Sequence, residues 1–127
     1  MTGKVFSSAR NAIVLIVEDE PLLRLVAVDF VEEAGFQVIE AGSADEAVTI
    51  LESRADIRIV FTDIDMPGSL DGMKLAACIR DRWPPIEIIM TSGHRKPVLT
   101  ELPARVLFFP KPYDPRSIVA AIQAFAA

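Results

Sequence analysis

Short apolar runs alternate with amphipathic stretches from Ala12 to the end of the chain. Ala12–Val17 is an unbroken, β-branched run bounded by polar residues, which predicts a buried strand. Pro21 stands where a first helical turn would begin, and Leu22, Leu23, Val26, Phe30 and Val31 follow at helical spacing. Gly35 suits the close of that helix. Phe36, Val38 and Ile39, with polar Gln37 among them, predict a second strand. Ser43 and Glu46 have capping-box spacing and open a helix carrying Ala47, Ile50 and Leu51. A third strand is expected over Ile57–Phe61, and a helix over Met73–Trp83 that is stopped by Pro84 and Pro85. Ile86–Met90 and Val106–Phe109 read as the fourth and fifth strands. Asp114 and Pro115 form an N-cap and N1 pair ahead of a last helix with Ile118, Val119, Ile122 and Phe125.

The βα unit thus repeats five times, with one weak copy. His94–Ala104 contains Pro97 and Pro103, which leaves room only for a short or irregular fourth helix. Strands this apolar need cover on both faces, so the pattern implies a parallel α/β sheet with helices on each side. Right-handed crossovers bring the C-terminal ends of the strands to one edge, where such sheets carry their chemistry.

Composition narrows the possibilities. With 127 residues the chain makes one domain with a real core. Its formal net charge of −5 argues against direct nucleic-acid binding through phosphate contacts. The lone cysteine, Cys78, excludes an internal disulfide and, among Leu75, Ala76 and Ile79, is expected to be a buried structural thiol. Residues 1–11 carry Lys4 and Arg10 but no apolar run, and are expected to be a flexible N-terminal extension rather than a leader. No run is long enough for membrane insertion, and a cytoplasmic location is expected.

The residues at the strand ends are chemically informative. The first strand ends in Glu18-Asp19-Glu20, the third in Thr62-Asp63-Ile64-Asp65-Met66-Pro67, the fourth in Thr91-Ser92-Gly93 and the fifth in Lys111-Pro112. Crowded carboxylates need a cation to compensate them. Oxygen donors on an open rim suit Mg²⁺. A metal-bound carboxylate can attack phosphorus, with the cation, an ammonium and a hydroxyl meeting the charge on the phosphoryl oxygens. Taken singly, Glu18 or Asp19 would be a helix cap, Lys111 a solvated charge and Ser92-Gly93 a loop; their joint placement at strand ends is what suggests phosphoryl transfer.

These pieces resemble the response-regulator receiver domain of two-component signalling: Ile-Val-Glu-Asp-Glu-Pro at 16–21, Asp-Ile-Asp-Met-Pro at 63–67, Asp-Gly at 71–72, Thr-Ser-Gly-His at 91–94 and Lys-Pro at 111–112. The resemblance runs from about Ile13 to Ala124. It implies a doubly wound, five-stranded, flavodoxin-like (βα)5 fold over residues 12–127. It further implies Asp63 as the phosphoacceptor, and Asp19, Asp63, the Asp65 carbonyl and (through water) Glu18 as the Mg²⁺ set. Lys111 would contact the phosphoryl oxygens, with the Lys111–Pro112 peptide cis. Ser92, followed by glycine, matches the switch hydroxyl, with Thr91 as the alternative. Phe108 stands where the family has a rotamer-switching aromatic; a plain core phenylalanine is the competing reading.

Three departures stand out. The loop after Pro67 is one residue longer than usual, the segment from Ser92 to Lys111 is short and proline-interrupted, and His94 lies two residues past Ser92. The expectation is a signalling switch rather than an enzyme. Its partners would be a sensor histidine kinase or histidine phosphotransfer protein and an unidentified protein target, with a homodimer allowed. The chain stops soon after its last helix, so no attached output domain is expected.

Overall fold

The computed structural model describes residues 12–68, 70–93 and 102–127. Five strands, β1 (Ile13–Val17), β2 (Gln37–Ala41), β3 (Ile57–Asp63), β4 (Glu87–Ser92) and β5 (Val106–Pro110), form one parallel sheet in the order β2-β1-β3-β4-β5. The helices, numbered among the described residues, are α1 (Pro21–Glu33), α2 (Ala44–Ser53), α3 (Gly72–Arg82) and α4 (Pro115–Ala126).

Two apolar layers sandwich the sheet. Leu15, Val17, Val60, Ile88 and Met90 face α2 and α3 through Ala47, Leu51, Leu75, Ala76 and Ile79. Val14, Ile16, Ile59, Phe61 and Ile89 face α1 and α4 through Ala27, Val31, Ile118 and Ile122. Strand alternation would put Ile57 and Ile59 on one face. A register shift beside Ile13 and Val14 skips Arg58, so Ile57 and Val60 share one layer while Ile59 and Phe61 share the other. This sets which face Asp63 approaches at the end of β3.

Local chemistry explains the element ends. Ser43 accepts from the Glu46 amide, while Glu46 reaches back to the Gly42 amide rather than that of Ser43, shifting the expected capping box by one residue. Gly35 follows α1 with φ of 98°, where a side chain would be strained. Asp114 caps α4 by accepting from the Arg116 amide, with Pro115 at N1. Asp71, not anticipated as a cap, accepts from the Lys74 amide at the start of α3.

Two sequence expectations need correction. The apolar residues of α1 do not all enter the core: Ala27, Val28 and Val31 are buried, whereas Leu22 is 77% and Leu25 62% exposed. The first turns of α1 stand beside the loop after β5, where the exposed Leu23 and Val26 line a groove with Pro112 and Tyr113, while Phe30 both lines that groove and packs against the core beside Phe61. Cys78 is half-buried rather than buried, because the inward stripe of α3 runs through Leu75, Ala76 and Ile79 and leaves position 78 at its margin. The edge strand β5 is only partly covered. The proline-interrupted fourth connection, His94 included, and the N-terminal extension fall mostly or wholly outside the described residues.

Candidate phosphoacceptor site

The sheet order reverses at β1, between β2 and β3, and the strands beside that point end in the acidic residues. Register pairs Val17 with Thr62 and Asp63 with Thr91. Main-chain bonds carry the alignment past the strand ends: the Glu18 amide donates to the Ala41 carbonyl, that of Ile64 to Thr91 and that of Lys111 to Ser92. Strand ends, not side-chain attraction, therefore bring four like-charged or polar segments together.

Asp63 is 6% exposed and Glu18 8%. Carboxylate oxygens of Glu18, Asp19 and Asp63 all lie within 4.8 Å of one another. The Lys111 ammonium donates to Asp63 Oδ2 at 2.9 Å and lies 3.7 Å from Glu18 Oε1. Burial pushes the Glu18 carboxyl above the ordinary range; the Glu20 amide and Lys111 pull it down, and the Asp63 charge adds to the rise. Burial pushes Lys111 down, but its bond to Asp63 and the charges of Asp63 and Glu18 outweigh this and hold it above its ordinary value. One ammonium thus reaches two of the three clustered carboxylates, Asp63 and Glu18, and burial still leaves Glu18 raised. A hard divalent cation fits that oxygen set.

The Asp65 amide donates to Asp63 Oδ1 at 3.2 Å, and Asp65 Oδ2 accepts from the Ser92 hydroxyl at 2.5 Å. Thr91 lines a small recess with Phe61, Asp63 and Tyr113. Alternation along β4 turns Ser92 to the opposite face, that of Met90. Phe108, paired in register with Met90, packs against that same layer and is half-buried. The Lys111–Pro112 peptide is cis, as the resemblance implies.

The response regulator receiver domain family model matches residues 14–123. The chain belongs to that family. Receiver domains are phosphoryl-accepting switches of two-component systems, which bind Mg²⁺ at an acidic site and work with histidine kinases or phosphotransfer proteins. The receiver is 33% identical over 117 residues to the sensor kinase CckA of Brucella abortus, covering 89% of the chain and 12% of that protein. It is 28% identical over 80 residues to the sensor protein TorS of Escherichia coli, covering 63% of the chain and 9% of the relative. The chain therefore spans only a small fraction of these relatives. Among solved structures, a receiver protein of Sinorhizobium medicae superposes with a TM-score of 0.83 at 27% identity, covering 91% and 94% of the two chains. The receiver domain of the hybrid histidine kinase CckA gives 0.77 at 28%, covering 91% and 100%. A Clostridium thermocellum receiver domain gives 0.84 at 24% identity over 91% and 94%, a likeness of fold. No helix among the described residues is long and apolar enough to cross a membrane.

The receiver's site also uses residues that sequence reasoning left aside. Arg24 of α1 donates to the Glu18 carbonyl at 2.8 Å and to Glu40 Oε1 at 3.1 Å, tying the acidic loop to β2. A Cβ on Gly72 would lie 2.2 Å from the Asp63 carbonyl oxygen, so α3 can begin against the site only with glycine there. Its place in Asp71-Gly72 was the available signal. Tyr113 packs edge-on against Phe61, with ring centroids 5.8 Å apart, and walls the recess beside Asp63. A single tyrosine in a loop carried no such signal.

Proposed function

We propose that Asp63 takes a phosphoryl group from a phosphohistidine on a sensor kinase or phosphotransfer protein in a Mg²⁺-dependent step. The observation that carries this reading is the Asp63 carboxylate, buried and held between the Lys111 ammonium at 2.9 Å and the carboxylates of Glu18 and Asp19. An Asp63 oxygen forms the new bond to phosphorus as the bond from phosphorus to the imidazole nitrogen breaks, and the imidazole leaves with that electron pair. Asp19, Asp63 and the Asp65 carbonyl would hold Mg²⁺, with Glu18 acting through water. Bound there, the cation neutralises phosphoryl charge and aligns the oxygens.

Lys111 meets the phosphoryl oxygens from the β5 side. Ser92 is the hydroxyl that turns to the phosphoryl group, and Phe108, on the same face of the sheet, follows it. Phosphorylation thereby shifts a two-state equilibrium of the β4–β5 surface, which contacts a protein target or a second copy. Hydrolysis of the acyl phosphate resets the switch.

Intact mass after incubation with Mg²⁺ and acetyl phosphate tests the reading. The native chain is expected to gain one phosphoryl group, with none gained by Asp63→Asn or without Mg²⁺. An unmodified native chain that also fails to bind beryllofluoride would end the proposal.

A further inference from the structure

We propose that the Asp65 carboxylate is a positioning residue that holds the Ser92 hydroxyl at rest and competes for it with the phosphoryl group on Asp63. This deepens, and rests on, the function proposed above. The role is separate from that of the Asp65 main-chain carbonyl, which belongs to the cation set.

The Ser92 hydroxyl donates to Asp65 Oδ2 at 2.5 Å, the short range of a bond to an ionised acceptor. Ser92 is 2% exposed, so water cannot readily replace a lost partner. A serine hydroxyl has a single proton to donate. It cannot serve the Asp65 carboxylate and a phosphoryl oxygen at once. Asp65 is in turn tied to the acceptor, because its amide donates to Asp63 Oδ1 at 3.2 Å. The competing acceptor therefore sits on the residue whose backbone touches the phosphorylated side chain. A dianionic phosphoryl group would also repel the Asp65 carboxylate, so charge and hydrogen bonding act in the same direction.

The arrangement makes Asp65 a brake. Phosphorylation must break one charge-assisted bond before Ser92 can make another, which keeps the unphosphorylated chain in its resting conformation. A neutral residue at this position would leave Ser92 less firmly held and lower the cost of switching.

Because Asp65→Asn also removes a negative charge near an anion site, the test is a double-mutant cycle. The native chain, Asp65→Asn, Ser92→Ala and the double variant are titrated with beryllofluoride at saturating Mg²⁺ by calorimetry, with folding checked by circular dichroism. Asp65→Ala is run in parallel, because asparagine keeps a neutral carbonyl acceptor whereas alanine has none, and it should tighten beryllofluoride at least as much as Asp65→Asn when Ser92 is present. Asp65→Asn should tighten beryllofluoride roughly tenfold when Ser92 is present and less than about twofold in the Ser92→Ala background. Equal tightening in both backgrounds would reduce the effect to charge and overturn the inference, as would no tightening in the first. In both cases beryllofluoride binding by the native chain would leave the proposed function standing. No binding by any of the four chains would overturn the proposed function, and the inference with it.

Discussion

The Lys111 ammonium donates to Asp63 Oδ2 at 2.9 Å, joining the loop after β5 to the last residue of β3 across the end of β4. Sequence separates the two by 48 positions. The bond compensates a carboxylate that burial would otherwise penalise, and it reaches Glu18 as well.

Lys111→Met should therefore destabilise the chain as well as slow phosphoryl uptake. The expected loss is about 1–2 kcal/mol, below that of a fully buried pair because the lysine side chain is 27% exposed. Its neighbours hold Lys111 above its usual 10.5, so the contribution is complete below that pH and is lost as pH rises through the raised value. Urea unfolding of native and variant chains at pH 7 and at pH 11 or above checks both points. A stability gap that does not narrow at the higher pH would contradict this account.

Glu18 gives a pH dependence of opposite origin. Its carboxyl is pushed up from the ordinary 4.5, chiefly by burial, so the folded chain binds more protons than the unfolded chain in the window above that value. Without divalent cation, stability should fall as pH rises from about 4.5 through the raised value. Glu18→Gln should flatten that slope and leave the chain more stable than native near neutrality. Thermal melts between pH 4 and 8 in EDTA measure it. Saturating Mg²⁺ should remove the native slope, since it favours the ionised form.

Gly72→Ala should be costly for a helix-start residue. The added methyl would meet the Asp63 carbonyl oxygen at 2.2 Å and the Ile64 Cα at 2.6 Å, both main-chain atoms at the site. Overpacking of this kind costs about 1–3 kcal/mol and must displace either α3 or the end of β3. Urea unfolding should show the loss, and acetyl phosphate labelling should slow alongside it. Unchanged labelling kinetics would mean that α3 alone gives way.

Arg80 anchors the segment leading into β5. Its guanidinium donates to the carbonyls of Ala104 at 2.7 Å, Pro84 at 2.7 Å and Ile86 at 2.8 Å. Arg80→Met removes every donor while retaining much of the apolar stem. The expected loss is about 2 kcal/mol, from several carbonyls left to water or to no partner. Hydrogen exchange should show amides at the start of β5 opening more often, whereas those of β1 keep their protection.

Legibility differed by element for physical reasons. β1 and β4 could be read directly, because a strand covered on both faces is a mainly apolar run: Ala12–Val17 is unbroken, and Ile86–Met90 is interrupted only by Glu87 at the start of β4. The inward face of α1 could not be chosen from spacing. Leu22, Leu23 and Val26 recur at helical spacing as Val31 does, and only packing separates them, with Val31 buried and the other three exposed. Cys78 was misjudged on the same ground, one residue off the buried stripe of α3.

The sequence by itself determined the chemical types available at the strand ends: carboxylates after β1 and β3, hydroxyls closing β4 and a lysine after β5. Those follow from strand periodicity and from the rule that parallel strands finish on one edge. Tertiary structure alone decided who touches whom. The register shift beside Ile13 and the pairing of Asp63 with Thr91 help set the faces to which Asp63 and Ser92 turn. Ser92 consequently bonds Asp65 while Thr91 lines the recess beside Asp63. Arg24, Gly72 and Tyr113 entered the site through helix placement, since distances of a few ångströms between remote residues are set by packing and leave no periodic trace in the chain.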